Sequence, residues 1–311
     1  MAKILVTGGA GFIGGYVVKA LVSAGQQVVV LDDFSSGTRH NLPHGALIEE
    51  MKGDVADITV VRKAMQGCDH VVHLAAMVSV PLSIEKPEQT YRSNVLGTYA
   101  VLEVAREQKL AGWLIYASSA AVYGGFDQPK AAEADANGAV HKSPYAASKA
   151  AGEVMANMYR EVYGVKALGL RFFNVYGPGQ DAASPYSGVL SKVVHSVDTG
   201  TLLPIFGDGN QTRDFVMVQD VVRVIFELLK RPVDAATPPV MNLGSGVGVS
   251  LLDMIRQVVA LKRVNPRVEY KPARPGDVRL SCADITLLRQ VLPHWQPMTL
   301  QTGLRMWLQA N

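Results

Sequence analysis

The sequence predicts an α/β protein, with a doubly wound parallel sheet followed by a smaller, irregular α/β C-terminal part. Three observations lead to this class. An apolar strand pattern at residues 3–6 enters a glycine-rich turn that ends at Gly14. A second apolar run, 28–31, ends at Asp32. Further strand patterns alternate with helical ones as far as Phe173, and strands separated by helices imply right-handed crossovers and a parallel sheet covered on both faces.

The individual elements follow from the hydrophobic spacing along the chain. Besides the two runs above, strands are predicted at 47–52, 70–74, 113–116 and 165–173. Amphipathic spacing predicts a helix after Gly14 and further helices over 58–66, 88–108 and 145–163. The order of these elements matches a Rossmann-type doubly wound sheet.

The pattern changes after about residue 177, where prolines and glycines cluster and the elements shorten. Short strands are predicted at 203–206 and 240–243, and helices at 188–199, 219–230, 250–261 and 285–292. We therefore predict a dinucleotide-binding domain at 1–176 and a mainly ligand-binding part at 177–311, with the ligand in the cleft between them.

The glycine-rich turn predicts a dinucleotide site. Gly8, Gly11 and Gly14 allow the backbone to approach a pyrophosphate, and the helix that follows offers free N–H groups and a positive dipole. Asp32 lies about 20 positions beyond the glycines, where a carboxylate binds the ribose hydroxyls of the adenosine. A carboxylate there also repels a 2′-phosphate, which favours NAD over its phosphorylated form.

Length, charge and composition limit the possible functions. The 311 residues suffice for one large domain or two intimate ones, and a formal net charge of +3 with scattered basic residues does not indicate nucleic-acid binding. No apolar run approaches the ~18 residues that span a bilayer. The first strand begins at Lys3, which leaves no room for a signal peptide. Because Cys68 and Cys282 are far apart, we expect reduced thiols in a cytoplasmic protein.

Tyr145 and Lys149 are candidate catalytic residues, because residues four positions apart on a helix share a face. A phenol has a pKa of about 10 and is a poor base at neutral pH. A fixed ammonium beside it favours the phenolate and lowers that pKa. The pair would then accept the proton of a sugar or alcohol hydroxyl. The same spacing also occurs by chance in surface helices.

Ser119 follows the apolar strand 113–116, at the edge where such a sheet binds ligands. Its hydroxyl is a candidate hydrogen-bond partner for the oxygen whose proton Tyr145 removes, and a serine that only caps a loop is the alternative. A hydrolase or a metal enzyme is not indicated. The chain has no Gly-x-Ser-x-Gly turn, and no histidine has metal-ligand spacing.

The order of these motifs resembles the extended short-chain dehydrogenases/reductases, and most closely the NAD-dependent UDP-sugar 4-epimerases. The resemblance covers essentially the whole chain. It rests on Gly8-x-x-Gly11-x-x-Gly14, Asp32, Gly53-Asp54, Leu74-Ala75-Ala76, Asn94, Ser119, Tyr145-x-x-x-Lys149 and the segment 171–177, in that order.

The resemblance implies a tightly held NAD that is regenerated in each cycle. Its implied contacts are Gly8, Gly11, Phe12, Ile13, Gly14, Asp32, Asp33, Asp54, Val55, Leu74, Ala75, Ala76, Asn94, Tyr145 and Lys149. Tyr145 would remove the proton of the sugar 4-hydroxyl while hydride leaves C4, Ser119 would hold the sugar oxygen, and Lys149 would bind the nicotinamide ribose. The 4-keto sugar would then turn over and receive hydride on its other face.

The resemblance also implies a UDP-sugar site that involves the C-terminal part. Its implied residues are Ser119, Asn174, Leu190, Ile205, Phe206, Arg213, Arg274, Asp277 and Ser281. Two guanidinium groups, Arg213 and Arg274, suit a doubly charged pyrophosphate, although a single arginine is more often part of a surface ion pair. Asp220 is predicted to cap the helix after Val218 rather than to bind ligand.

Two departures from related patterns narrow the activity that the resemblance implies. The related 4,6-dehydratases carry an Asp-Glu pair, and related decarboxylases a glutamate, where this chain has Ala120 and Ala121, which argues for epimerisation. The family's pocket residue is often tyrosine, and the matching residue here is Ser281. A small side chain leaves room for a 2-acetamido group, so we predict that UDP-GlcNAc and UDP-GalNAc are accepted beside UDP-Glc and UDP-Gal.

Three alternatives stay open: a UDP-uronic acid 4-epimerase, another nucleotide-sugar-modifying member of the superfamily, and a catalytically silent NAD-binding protein. The silent protein should have lost Tyr145 or Lys149, and both are present. The resemblance further implies a homodimer in which helices 88–108 and 145–163 form a four-helix bundle with their symmetry mates. The apolar residues that would lie in that interface or in the core are Ala100, Leu102, Met155 and Met158.

Overall fold

The computed structural model describes residues 1–125, 128–180, 188–232, 234, 237–273 and 278–309. The strands are β1 Lys3–Thr7, β2 Gln27–Asp32, β3 Ile48–Lys52, β4 His70–His73, β5 Leu114–Ser119, β6 Ala167–Phe172, β7 Asn174–Tyr176, β8 Leu202–Phe206, β9 Thr212–Met217, β10 Val240–Leu243, β11 Gly248–Ser250 and β12 Arg267–Lys271. The α-helices are α1 Phe12–Ser23, α2 Ile58–Ala64, α3 Val80–Glu85, α4 Pro87–Tyr91, α5 Gly97–Glu107, α6 Pro144–Tyr163, α7 Val189–Thr199, α8 Val218–Lys230, α9 Leu251–Lys262, α10 Thr286–Val291 and α11 Leu300–Gln309. A π-helical turn, Arg92–Leu96, joins α4 to α5. Within the described residues, no helix combines the length and the apolar character needed to cross a bilayer.

Contacts divide the chain into two units that alternate along the sequence. The first unit comprises Met1–Val122, Ser143–Arg171 and Val222–Met241. The second unit comprises Tyr123–Lys142, Phe172–Val221 and Asn242–Asn311. The sequence prediction placed one boundary after residue 176, whereas this division crosses from one unit to the other five times.

The main sheet has seven strands in the order β10-β6-β5-β4-β1-β2-β3. The pairs that join β3, β2, β1, β4 and β5 are parallel. The predicted α/β class and doubly wound sheet are confirmed, because six strands follow the order 3-2-1-4-5-6 that is typical of such folds. One assignment was wrong. Strand 240–243 was predicted in the C-terminal part, but β10 is the end strand of the main sheet, beside β6.

Local sequence explains why the elements of the first unit begin and end where they do. Ser143 is the N-cap of helix α6, and its side chain accepts a hydrogen bond from the Ala146 N–H (3.1 Å). Pro144 is the first residue of the helix. The helix ends at Gly164, which has a φ of +69°. The central strands are runs of buried apolar residues, as expected for a sheet covered on both faces.

The apolar core of the first unit contains residues that the sequence assigned to core or interface without deciding between them. Ala100 and Leu102 are fully buried in this core, and Met155 packs against it. Met158 differs, because 40% of its surface is exposed. The two cysteines, Cys68 and Cys282, are free thiols, as predicted.

The second unit contains a three-stranded sheet, β11-β9-β7, and a parallel pair, β12-β8. Its core packs α7, α9 and α11 against these strands. Strands β9 and β12 and helix α11 were not predicted. The residues of β9 do not alternate, but Val268 and Tyr270 of β12 do, and α11 has the helical spacing Leu300, Leu304 and Trp307, so those two signals were available. Asp220 was predicted as a helix cap. It lies in the first turn of α8, but its Oδ2 accepts a hydrogen bond from the N–H of Met298 (2.7 Å) and so anchors the chain before α11.

Candidate active site

The glycine-rich turn between β1 and α1 has no room for side chains. Gly8 has a φ of +69°, and a Cβ built on Gly14 would lie 2.1 Å from the Gly8 carbonyl oxygen. A Cβ built on Gly8 would lie 2.6 Å from the backbone nitrogen of Ala75, in the segment after β4. Helix α1 begins with Phe12 and Ile13, directly after this turn, so its N-terminal N–H groups adjoin backbone without side chains. This arrangement fits the pyrophosphate of a dinucleotide.

Asp32 ends β2 and is held against this turn. Its Oδ2 accepts a hydrogen bond from the Ala10 N–H, and its Oδ1 accepts one from the Phe34 N–H, both at 2.9 Å. Burial raises the pKa of Asp32, and the two backbone hydrogen bonds oppose that rise. The carboxylate thus shapes the turn from the position expected for the ribose contact. The next residue, Asp33, is exposed and accepts a hydrogen bond from Ser35 N–H.

Asn94 links the segment after β4 to helix α6. Its Oδ1 accepts a hydrogen bond from the Met77 N–H (2.7 Å), and its Nδ2 donates to Met77 O (3.0 Å) and to Ser148 Oγ (2.9 Å). Both amide hydrogens therefore have partners within the protein. Leu74, Ala75 and Ala76, which lie between β4 and Met77, are half-buried.

The remaining residues of the predicted cofactor set lie after β3. The Asp54 carboxylate pairs with Arg92, with 2.8 Å between oxygen and nitrogen, and accepts a hydrogen bond from the Ala56 N–H. Val55 is buried, and its side chain lies against Gly97 at the start of α5. Asp54 is partly exposed and Val55 is buried, so Asp54 is the more accessible of these two predicted cofactor contacts.

Three predicted catalytic residues lie together in the first unit. Ser119 is the last residue of β5, and Tyr145 and Lys149 lie in the first two turns of α6. The Lys149 Nζ donates a hydrogen bond to Ala117 O (2.9 Å) and lies 5.9 Å from the centre of the Tyr145 ring. The Ser119 hydroxyl lies near enough to the Tyr145 phenol to lower its pKa. The chain therefore places a proton acceptor, a hydrogen-bond donor and a cation at one point.

The acidity of Tyr145 differs from the sequence-based expectation. Burial raises the pKa of Tyr145, and the Ser119 hydroxyl opposes the rise. The sequence-based expectation was that Lys149 lowers the pKa of this phenol and that an oxidised nicotinamide lowers it further. In the protein alone, desolvation of the buried phenolate outweighs an ammonium that is bonded to Ala117. An additional positive charge, such as an oxidised nicotinamide ring, is needed to lower it.

Burial also lowers the pKa of the two residues here that could carry a positive charge, Lys149 and His73. It lowers the pKa of Lys149 to about 8, while the charge of Glu153 raises it. It lowers the pKa of His73 to about 3, with a smaller contribution from Lys149, so the imidazole is neutral at physiological pH. His73 lies between the hydroxyls of Thr7 (2.7 Å) and Thr98 (3.1 Å). Lys149 is therefore the positive charge next to the phenol.

Sequence reasoning missed Glu153. Its carboxylate accepts hydrogen bonds from Ser118 Oγ and from Arg171, which binds it through Nε and Nη2 at 2.8 Å each. The signal was available, because Glu153 lies four residues after Lys149 and therefore on the same face of the helix.

In the second unit, the structure places several predicted substrate residues near one another. Asn174 on β7 and Arg213 on β9 belong to the same three-stranded sheet. The Arg213 Nη1 donates hydrogen bonds to Val278 O (2.7 Å) and Thr212 O (2.8 Å). Val278 lies three residues before Ser281, which is half-buried.

Other predicted substrate residues have different surroundings. Leu190 and Ile205 are 1% exposed and belong to the core of the second unit, whereas Phe206 is half-buried. Arg274 and Asp277 lie outside the described residues.

Asp214, next to Arg213, is a second residue that sequence reasoning missed. It is fully buried. Its Oδ1 accepts hydrogen bonds from the N–H and the hydroxyl of Ser245, and its Oδ2 accepts them from the N–H groups of Gly246 and Ala283. One carboxylate therefore joins β9 to the segment after β10 and to the segment that contains Ser281.

Comparison with known proteins places these features in a family context. The sequence model of the NAD dependent epimerase/dehydratase family matches residues 4–244. The chain is 36% identical over 301 residues to UDP-glucose 4-epimerase of Mycolicibacterium smegmatis, covering 95% of this chain and 93% of that protein. It is 31% identical over 325 residues to UDP-glucuronate 4-epimerase 4 of Arabidopsis thaliana, covering 97% of this chain and 73% of that protein.

Solved structures give the same picture. The structure is similar to UDP-glucose 4-epimerase from Thermotoga maritima with UDP-glucose (TM-score 0.90, 31% identity, 99% of this chain and 97% of that one). It is similar to the enzyme of that name from Thermus thermophilus in complex with NAD (0.88, 33%, 99% and 98%). It is also similar to UDP-N-acetylglucosamine 4-epimerase from Methanobrevibacter ruminantium in complex with UDP-N-acetylmuramic acid (0.90, 29%, 100% and 99%).

Proposed function

We propose, from the premise that this chain belongs to the NAD-dependent epimerase/dehydratase family, that it reversibly epimerises a UDP-hexose at C4. The substrates we propose are UDP-Glc and UDP-Gal, together with UDP-GlcNAc and UDP-GalNAc, and the intermediate is the 4-keto sugar. The observation that carries the proposal is the arrangement of Ser119, Tyr145 and Lys149, in which a hydroxyl and an ammonium accompany a buried phenol.

In the proposed reaction, Tyr145 takes the proton of the 4-hydroxyl and later returns it. Ser119 hydrogen-bonds the same oxygen and keeps it within reach of the phenol. Lys149 supplies the positive charge that favours the phenolate. NAD, when bound at the glycine-rich turn, supplies a hydride acceptor for C4. Tyr145 and Lys149 are buried and Ser119 is half-buried, which limits the access of water to the oxidised sugar.

The residues after Ser119 support epimerisation over elimination. Ala120 and Ala121 follow directly and form the start of a short 3₁₀ turn, Ala120–Tyr123. Removal of water from a sugar needs a group that protonates the leaving hydroxyl. Neither alanine can do this, which favours re-reduction of the 4-keto sugar over loss of water.

A panel of UDP-, GDP- and dTDP-sugars tests the proposal, with separation of the products after incubation with the purified enzyme. We expect interconversion of UDP-Glc and UDP-Gal, and a loss of about 10²–10⁴ in kcat for Tyr145→Phe, the usual contribution of a positioned base. Failure to interconvert any UDP-sugar, with NAD bound, would support the silent NAD-binding alternative instead.

Ser281 supports the acceptance of N-acetylated sugars. Its short side chain is half-buried in the segment held by Asp214. Ser281→Tyr should suppress conversion of UDP-GlcNAc and UDP-GalNAc while sparing UDP-Glc and UDP-Gal. Ser281→Ala, which keeps the site small, is the matched control and should leave both pairs active. Equal losses for both pairs in the tyrosine variant would contradict the assignment.

A UDP-uronic acid 4-epimerase is the second candidate. It is favoured by the likeness to UDP-glucuronate 4-epimerase 4 of Arabidopsis thaliana. The catalytic groups would be the same, with one additional donor for the sugar carboxylate. UDP-glucuronate and UDP-galacturonate therefore belong in the panel, and a kcat/KM for them above that for UDP-Glc would favour this candidate.

We also propose that the enzyme is a homodimer that pairs helices α4, α5 and α6 with those of a second copy. These helices and the π-helical turn between α4 and α5 carry exposed apolar side chains in the first unit: Tyr91, Leu96, Tyr99, Val154, Met158, Val162 and Tyr163. Exposed apolar residues grouped on neighbouring helices favour an interface. Sedimentation should give a dimer, and Val154→Glu with Met158→Glu should give a monomer. A concentration-independent monomer for the native chain would contradict the proposal.

A further inference from the structure

Three side chains on one face of α6 contact three successive residues of β5. Tyr145, Lys149 and Glu153 are spaced by four residues, so they lie in a row along the helix. Lys149 donates a hydrogen bond to the carbonyl of Ala117, and Glu153 accepts one from the hydroxyl of Ser118. Tyr145 lies near the Ser119 hydroxyl, which lowers the pKa of the phenol. The third contact contains the reacting phenol, and the first two hold the adjacent residues of the strand against the helix.

Arg171 holds Glu153 in place from β6, the neighbouring strand. Its Nε and Nη2 bind the two carboxylate oxygens at 2.8 Å each, and both side chains are almost fully buried. A buried ion pair contributes little net stability compared with apolar residues of the same volume. The contribution of this pair is instead geometric. The bidentate contact fixes the orientation of the Glu153 carboxylate, and Oε1 accepts a hydrogen bond from Ser118 Oγ.

We propose that Glu153 is a positioning residue for the reaction proposed above: it fixes Ser118, and through it Ser119, opposite Tyr145, and it provides the counter-charge of Lys149. The inference rests on the proposed function, because it assigns a role in the same proton transfer. In this role, Glu153 contacts neither the Tyr145 phenol nor the sugar.

The charged and titratable groups around Lys149 support the electrostatic part of this role. Tyr145 and Glu153 face it from α6, and His73 faces it from β4. The imidazole is neutral, because its pKa is about 3. From the other strands, Tyr116 and Arg171 face Glu153, and burial holds the Tyr116 phenol in its neutral form. Glu153 is therefore the group that opposes the loss of the Lys149 proton on burial.

Glu153→Gln tests the charge, because glutamine keeps the size of the side chain and an acceptor for Ser118. Because we expect activity only when Lys149 is protonated, kcat/KM of the NAD-loaded enzyme should fall as the pH rises through the pKa of Lys149. In the variant this alkaline fall should move about one pH unit lower, the shift that an opposite charge at this spacing produces. An unchanged pH profile would overturn the electrostatic role, whatever the loss of activity. Glu161→Gln, an exposed glutamate eight residues further along α6, is the control.

Ser118→Ala tests the positioning separately and removes only one hydroxyl. We expect about a tenfold fall in kcat with the alkaline fall at its native pH, because the ion pair and its charge stay in place. Native kcat in this variant would overturn the positioning role. This variant also carries the test if Glu153→Gln fails to fold.

A measurement without sugar separates this inference from the proposed function. The Lys149 side-chain signal of ¹³Cε-lysine-labelled protein, identified by its loss in Lys149→Met, reports the protonation of that amine. Its midpoint should lie near pH 8 in the native protein and about one unit lower in Glu153→Gln. Equal midpoints would overturn the counter-charge role of Glu153 even if the enzyme epimerises UDP-sugars. A shift with no reaction of any UDP-sugar would uphold the counter-charge role and overturn the proposed function.

Discussion

Replacement of Asp214 by asparagine should cost the second unit much of its stability. The side chain is fully buried. Its oxygens accept four hydrogen bonds from N–H and O–H donors, and the Cys282 thiol makes a longer contact with Oδ2 (3.9 Å). The N–H and hydroxyl of Ser245 lie 2.6 Å from Oδ1, and the N–H groups of Gly246 and Ala283 lie 2.9 and 3.0 Å from Oδ2. An asparagine offers one oxygen, so its NH₂ group must face two donors.

The expected magnitude follows from those two donors. A buried donor that loses its acceptor costs about 1–3 kcal/mol, so the free energy of unfolding should fall by about 2–6 kcal/mol. At about 2–4 °C per kcal/mol, a mid-range loss lowers Tm by roughly 10 °C. Since Asp214 also holds the segment of Ser281, KM for the UDP-sugar should rise more than kcat falls.

Urea unfolding followed by circular dichroism measures the loss, and initial rates measure KM and kcat. Asp208→Asn is the matched control, because Asp208 belongs to the same unit, is solvent-exposed, and bonds to the Asn210 N–H and to Arg279. The control should unfold at nearly the native urea concentration. If Asp214→Asn unfolds at the same concentration as the control, the four hydrogen bonds do not stabilise the unit as argued.

Three other perturbations test separate parts of the fold. Gly14→Ala places a Cβ 2.1 Å from the Gly8 carbonyl oxygen, so the purified variant should lose its bound NAD, measured by absorbance of an acid extract; native NAD content would refute the backbone fit. Gly303→Ala places a Cβ 1.9 Å from the Tyr176 hydroxyl and should lower the free energy of unfolding in urea by about 1–3 kcal/mol. The loss should be smaller in a Tyr176→Phe background, and equal losses in both backgrounds would contradict this contact. Burial lowers the folded-state pKa of Lys149 from 10.5 to about 8, so the unfolded chain binds the extra proton between these values and stability should rise with pH across that window. Lys149→Met should flatten this rise in urea midpoints, and an identical slope in both proteins would show that another group causes it.

The parts of the fold that the sequence could predict depend on local signals. The glycine-rich turn, the strand that ends at Asp32 and the helix of Tyr145 and Lys149 each combine a hydrophobic period with a residue type that only a few structures accept. Residues close in sequence therefore predicted the dinucleotide turn and the face that joins the phenol to the amine.

The features that could not be predicted depend on contacts between distant residues. Glu153 and Arg171 are 18 residues apart, and they meet because α6 packs on β5 and β6 lies next to β5 in the sheet. Asp214 meets donors 31 to 69 residues away, so no spacing rule identifies it. The burial that raises the pKa of Tyr145 could not be predicted for a related reason, because desolvation depends on all the residues that surround the ring.

The position of β10 in the main sheet has a consequence for any attempt to divide the protein. A fragment that stops at residue 176 would lack the seventh strand and leave β6 as an open edge with unpaired N–H and C=O groups. Such an edge is a template for aggregation. Halves produced by one cut would therefore have to be expressed together, so that the later piece can donate its strand to the earlier one.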